Sequence, residues 1–437
     1  MEWLEAKIEA TAGIDQPLTF GDLENAGVRL RMVTTNLTHG RPYTLPFAEK
    51  RFYFQRAELE RILPAEIVAF TIRKSEEEAE RRKGEPQAMR ERTGDSLESE
   101  EGEGGREGSD PYLAAMAVAP STGIYPMPPW RDVPLLLAAR MSLSFPVLFT
   151  LVPLMAVDYT WDCNERPEQW TFTTPTSPKL EVCWFIDGGL TSNFPIAFFD
   201  SLLPKWPTFG LDLRDFHPQH PKSETDEDKN VWMVDKNGDG RSELWNRFAP
   251  LIGHVPVAGY MGAIVGAMQN WRDNTQQRVN GFRDRIAHIK LSSEEGGLNL
   301  DMPEKVIEKL AERGRFAGKR LTLRFTPGST ETMNWDNHRW LRLLATTELT
   351  RQWLREVGTS MTDNPNGGTS YDDLLQRTAN APRTGYVQKL AQLRATRLAR
   401  NAAFAAADAA MAAAQPQPPL EDEVPKPLPE LRVTARF

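Results

Sequence analysis

The stretch Glu181-Val182-Cys183-Trp184-Phe185-Ile186-Asp187-Gly188-Gly189 decides how this chain is read. Val182 to Ile186 are apolar at every position, the pattern of a central strand covered on both sides rather than of a strand with one wet face. Asp187 follows at the carboxyl end of that strand, where ligands bind in open α/β sheets. The glycines behind it admit positive φ and let backbone approach a substrate closely. Read by itself, the trio is also consistent with an aspartate closing a tight turn.

Outward from this strand, Asn193 is placed to cap a following helix, with Pro195 in its first turn, and Thr208 to Leu213 returns as a strand. Strand, helix and strand in so short a span predict a βαβ unit, hence a parallel sheet flanked by helices. Upstream, Trp3 to Ala12 has helical spacing ended by Gly13, Val28 to Thr35 and Phe52 to Phe54 read as strands, and a helix is expected through Leu59 and Leu63. Val133 to Val157, the most apolar window, is broken by Arg140, Pro134, Pro146 and Pro153, and reads as core helix, turn and strand. Beyond Arg214 the pattern is mainly helical, through Val255 to Met268, Glu304 to Arg313 and Asn337 to Arg355. The small residues of Val255 to Met268 suit close core packing or a surface that meets lipid.

The 437 residues carry a net charge of −8, and Lys74 to Asp110, with 13 acidic and 7 basic residues, supplies −6 of it. No basic footprint for nucleic acid remains. That charged segment is expected to be a disordered insertion, because it buries too little apolar area to offset its ordering entropy. From Asn401 onward, 11 alanines and 6 prolines predict a frayed helix and an extended tail. Two cysteines make no disulfide framework, Cys183 reads as a buried thiol, and Met1 to Lys7 has no secretory pattern. A cytoplasmic setting, with or without attachment to a membrane surface, is expected. The resulting division is an α/β domain over 1–330 containing the insertion 74–110, a helical extension over 331–400 and a tail over 401–437.

The block Asp187-Gly188-Gly189-Leu190-Thr191-Ser192-Asn193-Phe194-Pro195 resembles the Asp-Gly-Gly block of the patatin-like phospholipase family. Thr34-Thr35-Asn36-Leu37-Thr38-His39-Gly40 resembles the family's strand end after the nucleophile helix. Ala139-Arg140-Met141-Ser142-Leu143-Ser144-Phe145-Pro146 resembles its small-residue segment before a proline. The three occur in family order. The resemblance implies a three-layer α/β/α fold and a Ser-Asp dyad that hydrolyses lipid acyl esters, with Asp187 as the carboxylate that deprotonates the serine. Gly188, Gly189 and Asn193 would support substrate and backbone. Carboxylates are weak bases, so such a residue works only within hydrogen-bond reach of the hydroxyl.

The chain departs from the family pattern at one point. No Gly-x-Ser-x-Gly elbow occurs, and no glycine-rich turn from strand to helix precedes Asp187. Ser142 and Ser144 lie in what resembles a structural block and are not expected to be nucleophiles. The sheet is therefore expected to be incomplete at the N-terminus. Three explanations stand: a start placed too far downstream or a gene fragment, a split protein whose other chain supplies the serine, or a scaffold kept without activity. The corresponding functions are a serine acyl hydrolase with only its Asp half encoded here and inactive alone, the Asp-bearing subunit of a split enzyme, or a catalytically silent binding or regulatory module. Expected partners are a lipid ester or phospholipid, a chain supplying the serine, and a membrane touched peripherally or not at all.

No cofactor or metal is called for. Asp235, Asn237, Asp239 and Gly240 match the start of an EF-hand loop, but position 12 is Asn246 in place of the bidentate glutamate. His217 and His220 sit beside Pro218 and Pro221 in an expected surface loop, and His39, His254, His288 and His338 have no Cys or His partner at ligand spacing.

Overall fold

The computed structural model describes residues 1–48, 52–84, 111–145, 148–164, 179–192, 194–238, 281–292, 294–296, 299, 301–362, 367–371, 373, 402 and 405. The chain divides into two compact units, one of residues 1–193 with 248–271 and 436–437, the other of residues 194–247 with 272–435. The sequence reading draws a single α/β domain over 1–330. Sheets and helices combine in the described residues, and the α/β class is borne out.

In the first unit, α1 (Glu2–Ala12) ends as expected at Gly13, whose φ of 66° is left-handed. The short α2 (Phe20–Asn25) starts at Thr19, which exchanges hydrogen bonds with Asp22 in a capping box. Then come β1 (Met32–Asn36), β2 (Arg41–Leu45), β3 (Phe52–Gln55), α3 (Arg56–Glu60), α4 (Ala65–Gly84), α5 (Pro111–Thr122), β4 (Ile124–Pro126), α6 (Leu135–Ser142), β5 (Val152–Val157) and β6 (Leu180–Asp187). The six strands form one sheet in the order β2-β1-β6-β5-β3-β4, and every pairing is antiparallel. β6 is central as predicted. Val152 faces Phe185 and Leu154 faces Cys183, and these four enter a core with Tyr43, Leu45, Phe52, Leu136 and Met141.

Three expectations are corrected here. First, β6 is covered on one face only at its middle: Phe185 is fully buried but Trp184, paired with Pro153, is 45% exposed. Antiparallel sheets commonly leave one face open, which is the arrangement β6 adopts. Secondly, the predicted βαβ unit does not form. Between β6 and the next strand, the helical elements among the described residues are the 3-10 turns Gly188–Leu190 and Ile196–Phe199. Gly188, Gly189, Pro195, Pro204 and Pro207 crowd this connection, and prolines deny it the donors a longer helix needs.

Thirdly, the start of the charged segment is ordered. α4 continues through Lys74 to Gly84, because Ser75, Glu78 and Ala79 fall on one buried helical face. Its charges pair along the helix, Lys74 with Glu77 at 2.7 Å and Glu78 with Arg81 and Arg82 at 2.8 and 2.7 Å. The Ser75 hydroxyl also donates to Pro126 O at 2.8 Å, and Tyr112 of α5 donates to Ser75 O at 3.2 Å. Residues 85–110, Val255 to Met268 and the tail other than residues 402 and 405 lie outside the described residues.

In the second unit β7 (Gly210–Asp215), β8 (Val231–Trp232) and β9 (Ile286–Leu291) form a sheet in the order β7-β9-β8, with β7 parallel to β9. α7 (Glu304–Phe325) packs Ala317, Leu321 and Phe325 onto Val231, Ala287 and Ile289, and α8 (Trp335–Thr362) follows. The Arg313 side chain is fully buried and is satisfied from both sides: Nη1 and Nη2 donate to Glu295 at 2.9 and 2.7 Å, and Nε donates to Glu227. Lys222 reaches Glu295 at 2.8 Å, and Asn230 donates to Glu227 at 2.7 Å.

Burial pushes the Glu295 carboxyl up, but hydrogen bonds from Arg313, Lys222 and the Ser292 N–H outweigh it and hold the group well below its ordinary value of 4.5. A depressed carboxylate stabilises the fold above its unfolded-chain pKa, and that contribution is lost as pH falls below it. Arg313→Met, which removes the buried cation shared by Glu227 and Glu295 and leaves Glu295 with Lys222 alone, is expected to cost about 3 kcal/mol at neutral pH. Urea unfolding should also show a shallower loss of stability on acidification from about pH 5 in the variant than in the parent chain. Equal stability and equal slope would contradict this account of the network.

Candidate functional site

The site is built where the end of β6 lies against the middle of the antiparallel strand β1. Thr34 is registered opposite Asp187 and Thr35 opposite Ile186. The Thr34 hydroxyl donates to Ile186 O at 2.8 Å and lies 3.4 Å from Met141 O, which ties the end of α6 to both strands. Thr35 and Thr191 share a hydroxyl hydrogen bond of 2.9 Å across the turn after β6. These buried threonines suit a close strand contact, since their short hydroxyls satisfy carbonyls that bulkier apolar residues would leave bare.

Asp187 caps the turn that follows it. Its Oδ1 accepts the Gly189 N–H at 2.6 Å, and its own N–H donates to Ser144 O at 3.1 Å. Among the described residues nothing hydrogen-bonds Oδ2, and the residue is half-buried. Gly188 passes so close to β1 that a Cβ built on it would lie 2.1 Å from Val33 O. Glycine is required there by the approach of another backbone. Gly189 supplies the N–H that orients the carboxylate, and Asn193 lies outside the described residues.

Ser144 and Thr150, on either side of the turn after α6, are both held by Arg140, to which the sequence reading assigns no bracing role. Arg140 is 4% exposed and has no carboxylate within ion-pair distance among the described residues. Its Nη1 donates to the Ser144 hydroxyl at 2.5 Å, and its Nη2 donates to Thr150 O and Oγ1 at 2.8 and 2.9 Å. The guanidinium also stacks over Phe149 at 5.3 Å. Burial alone lowers its pKa. The signal that could have found it is its position four residues before Ser144 in the most apolar window, where a cation survives only if its donors are met.

Ser144 is fully engaged, accepting from Arg140 and donating to Arg140 O at 2.5 Å. No hydroxyl among the described residues donates to the Asp187 carboxylate. Cys183 Sγ lies 3.5 Å from His39 Nε2, but burial pushes its thiol up, which suits an inert core residue. The pair His217 and His220 forms an isolated bridge in a turn, and Asn237 bonds Asn337, while Asp239 and Gly240 lie outside the described residues. Among the described residues no three His, Cys, Asp or Glu gather as metal ligands, and no helix is long and apolar enough to cross a membrane. His288, read as scattered, pairs with Asp212 at 2.9 Å across β7 and β9 under the Trp232 ring.

With this geometry in hand, the comparisons agree with the resemblance. The family model described as Patatin-like phospholipase matches residues 11–200. That span contains β1, α6, the Arg140 loop, β6 and the Asp-Gly-Gly turn. The chain is also 33% identical over 380 residues to the RpoH suppressor of Rhizobium meliloti (strain 1021), a match covering 78% of this chain and 52% of that protein. The chain thus spans about half the length of this curated relative, whose name states no chemistry. No solved structure matches.

Gly188→Ala tests the close approach that sets the site. The added methyl meets a backbone carbonyl, which cannot swing aside as a side chain would, so a loss of about 3 kcal/mol is expected in urea unfolding. A variant as stable as the parent would contradict the placement of β6 against β1.

Proposed function

We propose that the patatin-like segment at residues 11–200 is the carboxylate-bearing part of a lipid acyl hydrolase, in which Asp187 is the general base of a Ser-Asp dyad. The observation that carries this reading is the state of the Asp187 carboxylate. It ends a central strand, it is fixed by the Gly189 N–H through one oxygen, and its other oxygen is unengaged among the described residues. An aspartate that only closed a turn would have no need of a sheet end whose neighbour strand is pressed against Gly188.

The attacking serine is proposed to come from polypeptide outside these 437 residues, since they contain no Gly-x-Ser-x-Gly elbow. The substrate class is a lipid ester, with a phospholipid as the family's described substrate. In the assembled site the elbow serine would present its Oγ to Asp187 Oδ2, pass its proton there on attacking the acyl carbonyl, and form an acyl-enzyme that water then cleaves. Asp187 would return the proton to the departing alcohol. The absence of any hydroxyl at Asp187 among the described residues also favours a second reading, a catalytically silent module that keeps the scaffold to bind lipid.

The test uses a fluorophosphonate probe and a chromogenic acyl ester. The 437-residue chain by itself is expected to show neither serine labelling nor turnover. Combined with an elbow-bearing polypeptide encoded in the flanking reading frames, it should do both, and Asp187→Asn should lower turnover by about 10²–10⁴-fold. Labelling of a serine within the 437 residues would overturn the division of the dyad. Full turnover in the Asp187→Asn complex would overturn the role of Asp187, and the lack of any elbow-bearing partner that restores labelling would establish the silent module.

A further inference from the structure

From Met141 to Val157 the sequence carries no charged residue. Within that span the loop after α6 exposes large apolar side chains: Leu143 at 54%, Leu148 at 42%, Phe149 at 48% and Leu151 at 38%. Single exposed leucines are ordinary, but four large apolar groups exposed within nine residues are not. The described residues of the loop are tied to one another and to Arg140. The backbone turns inward, with Phe145 N–H to Leu143 O at 2.7 Å and Phe149 N–H to Phe145 O at 3.0 Å. Arg140 bonds Ser144 and Thr150 from beneath and stacks on the Phe149 ring. The cation's donors point into the loop while the hydrocarbon points out.

We infer that this loop is the surface by which the first unit enters a lipid interface, with Leu143, Leu148, Phe149 and Leu151 as the inserting side chains. The choice of a lipid surface rests on the acyl-hydrolase reading, because Ser144, at the root of this loop, accepts the Asp187 N–H. An ester bound for Asp187 would leave its lipid phase beside these side chains. The composition of the loop favours the same occupant. A few exposed apolar groups suffice for reversible interfacial binding. A loop with no charged side chain avoids the cost of carrying a charge into the headgroup boundary. Because Arg140 fixes the loop beforehand, little side-chain freedom remains to be lost on insertion.

Vesicle flotation tests this without any hydrolysis, so it stands or falls separately from the acyl-hydrolase reading. The full chain is mixed with vesicles of phosphatidylcholine alone and with vesicles that also contain phosphatidylglycerol. Binding to both is expected. The double variant Leu148→Ser with Phe149→Ser should bind at least ~10-fold more weakly to both, from the apolar area withdrawn. Trp206→Ser, which removes an 80% exposed tryptophan from the second unit, should bind as the parent does. Should the double variant fail to fold, Phe149→Trp gives the same information, with added fluorescence shifted to the blue and quenched by brominated acyl chains. The inference is overturned if the parent chain does not float, if the double variant floats equally, or if Phe149→Trp is not quenched. It is overturned as well if flotation needs the anionic lipid and ignores the loop, or if the loop changes alter only self-association of the lipid-free chain.

Discussion

The contact on which the rest of the first unit depends is backbone against backbone, where Gly188 runs under the carbonyl of Val33 with no room for a side chain. That approach puts the end of β6 directly beside β1 and fixes where Asp187 leaves the sheet. The residues around it keep the end of β6 against β1. Thr34 and Thr35 spend their hydroxyls across the gap, Ser144 takes the Asp187 N–H, and Arg140 braces the loop that carries Ser144. A carboxylate anchored through one oxygen by a neighbouring N–H keeps its direction, and direction is what a weak base needs to act.

Much of this was legible in the sequence because it lies in contiguous runs. The strand Val182 to Ile186, the Asp-Gly-Gly turn, the first helix with its glycine stop and the Arg140-to-Pro146 segment each declare themselves locally. What was not legible depends on partners distant in sequence. Trp184 looks as apolar as Phe185, yet only one of them faces the core, because pairing of β6 with β1 and β5 is antiparallel and one face stays open. The charged segment after Arg73 looked incapable of order on composition, but Ser75, Glu78 and Ala79 recur with helical period and reach Tyr112 and Pro126. The strand Thr208 to Leu213 was seen, and its partner was not, since β9 lies some seventy residues on.

The two units solve the burial of charge differently. In the second, Arg313 sits between Glu227 and Glu295, so attraction and hydrogen bonds offset the cost of desolvation. In the first, Arg140 is surrounded by neutral oxygens and a phenyl ring. A cation with neutral partners is costlier to keep, and it braces the loop beside Asp187 rather than a core layer. The same contrast separates the half of the molecule that resembles patatin-like phospholipases from the half beyond residue 200.

The most direct measurement is one interatomic distance, from Asp187 Oδ2 to the serine Oγ, in a crystal structure of the chain joined to an elbow-bearing polypeptide. A separation of about 2.6–3.2 Å, with the Gly189 N–H still on Oδ1, is the predicted result. A serine seated on some other base, with Asp187 turned wholly into its own loop, would contradict the account.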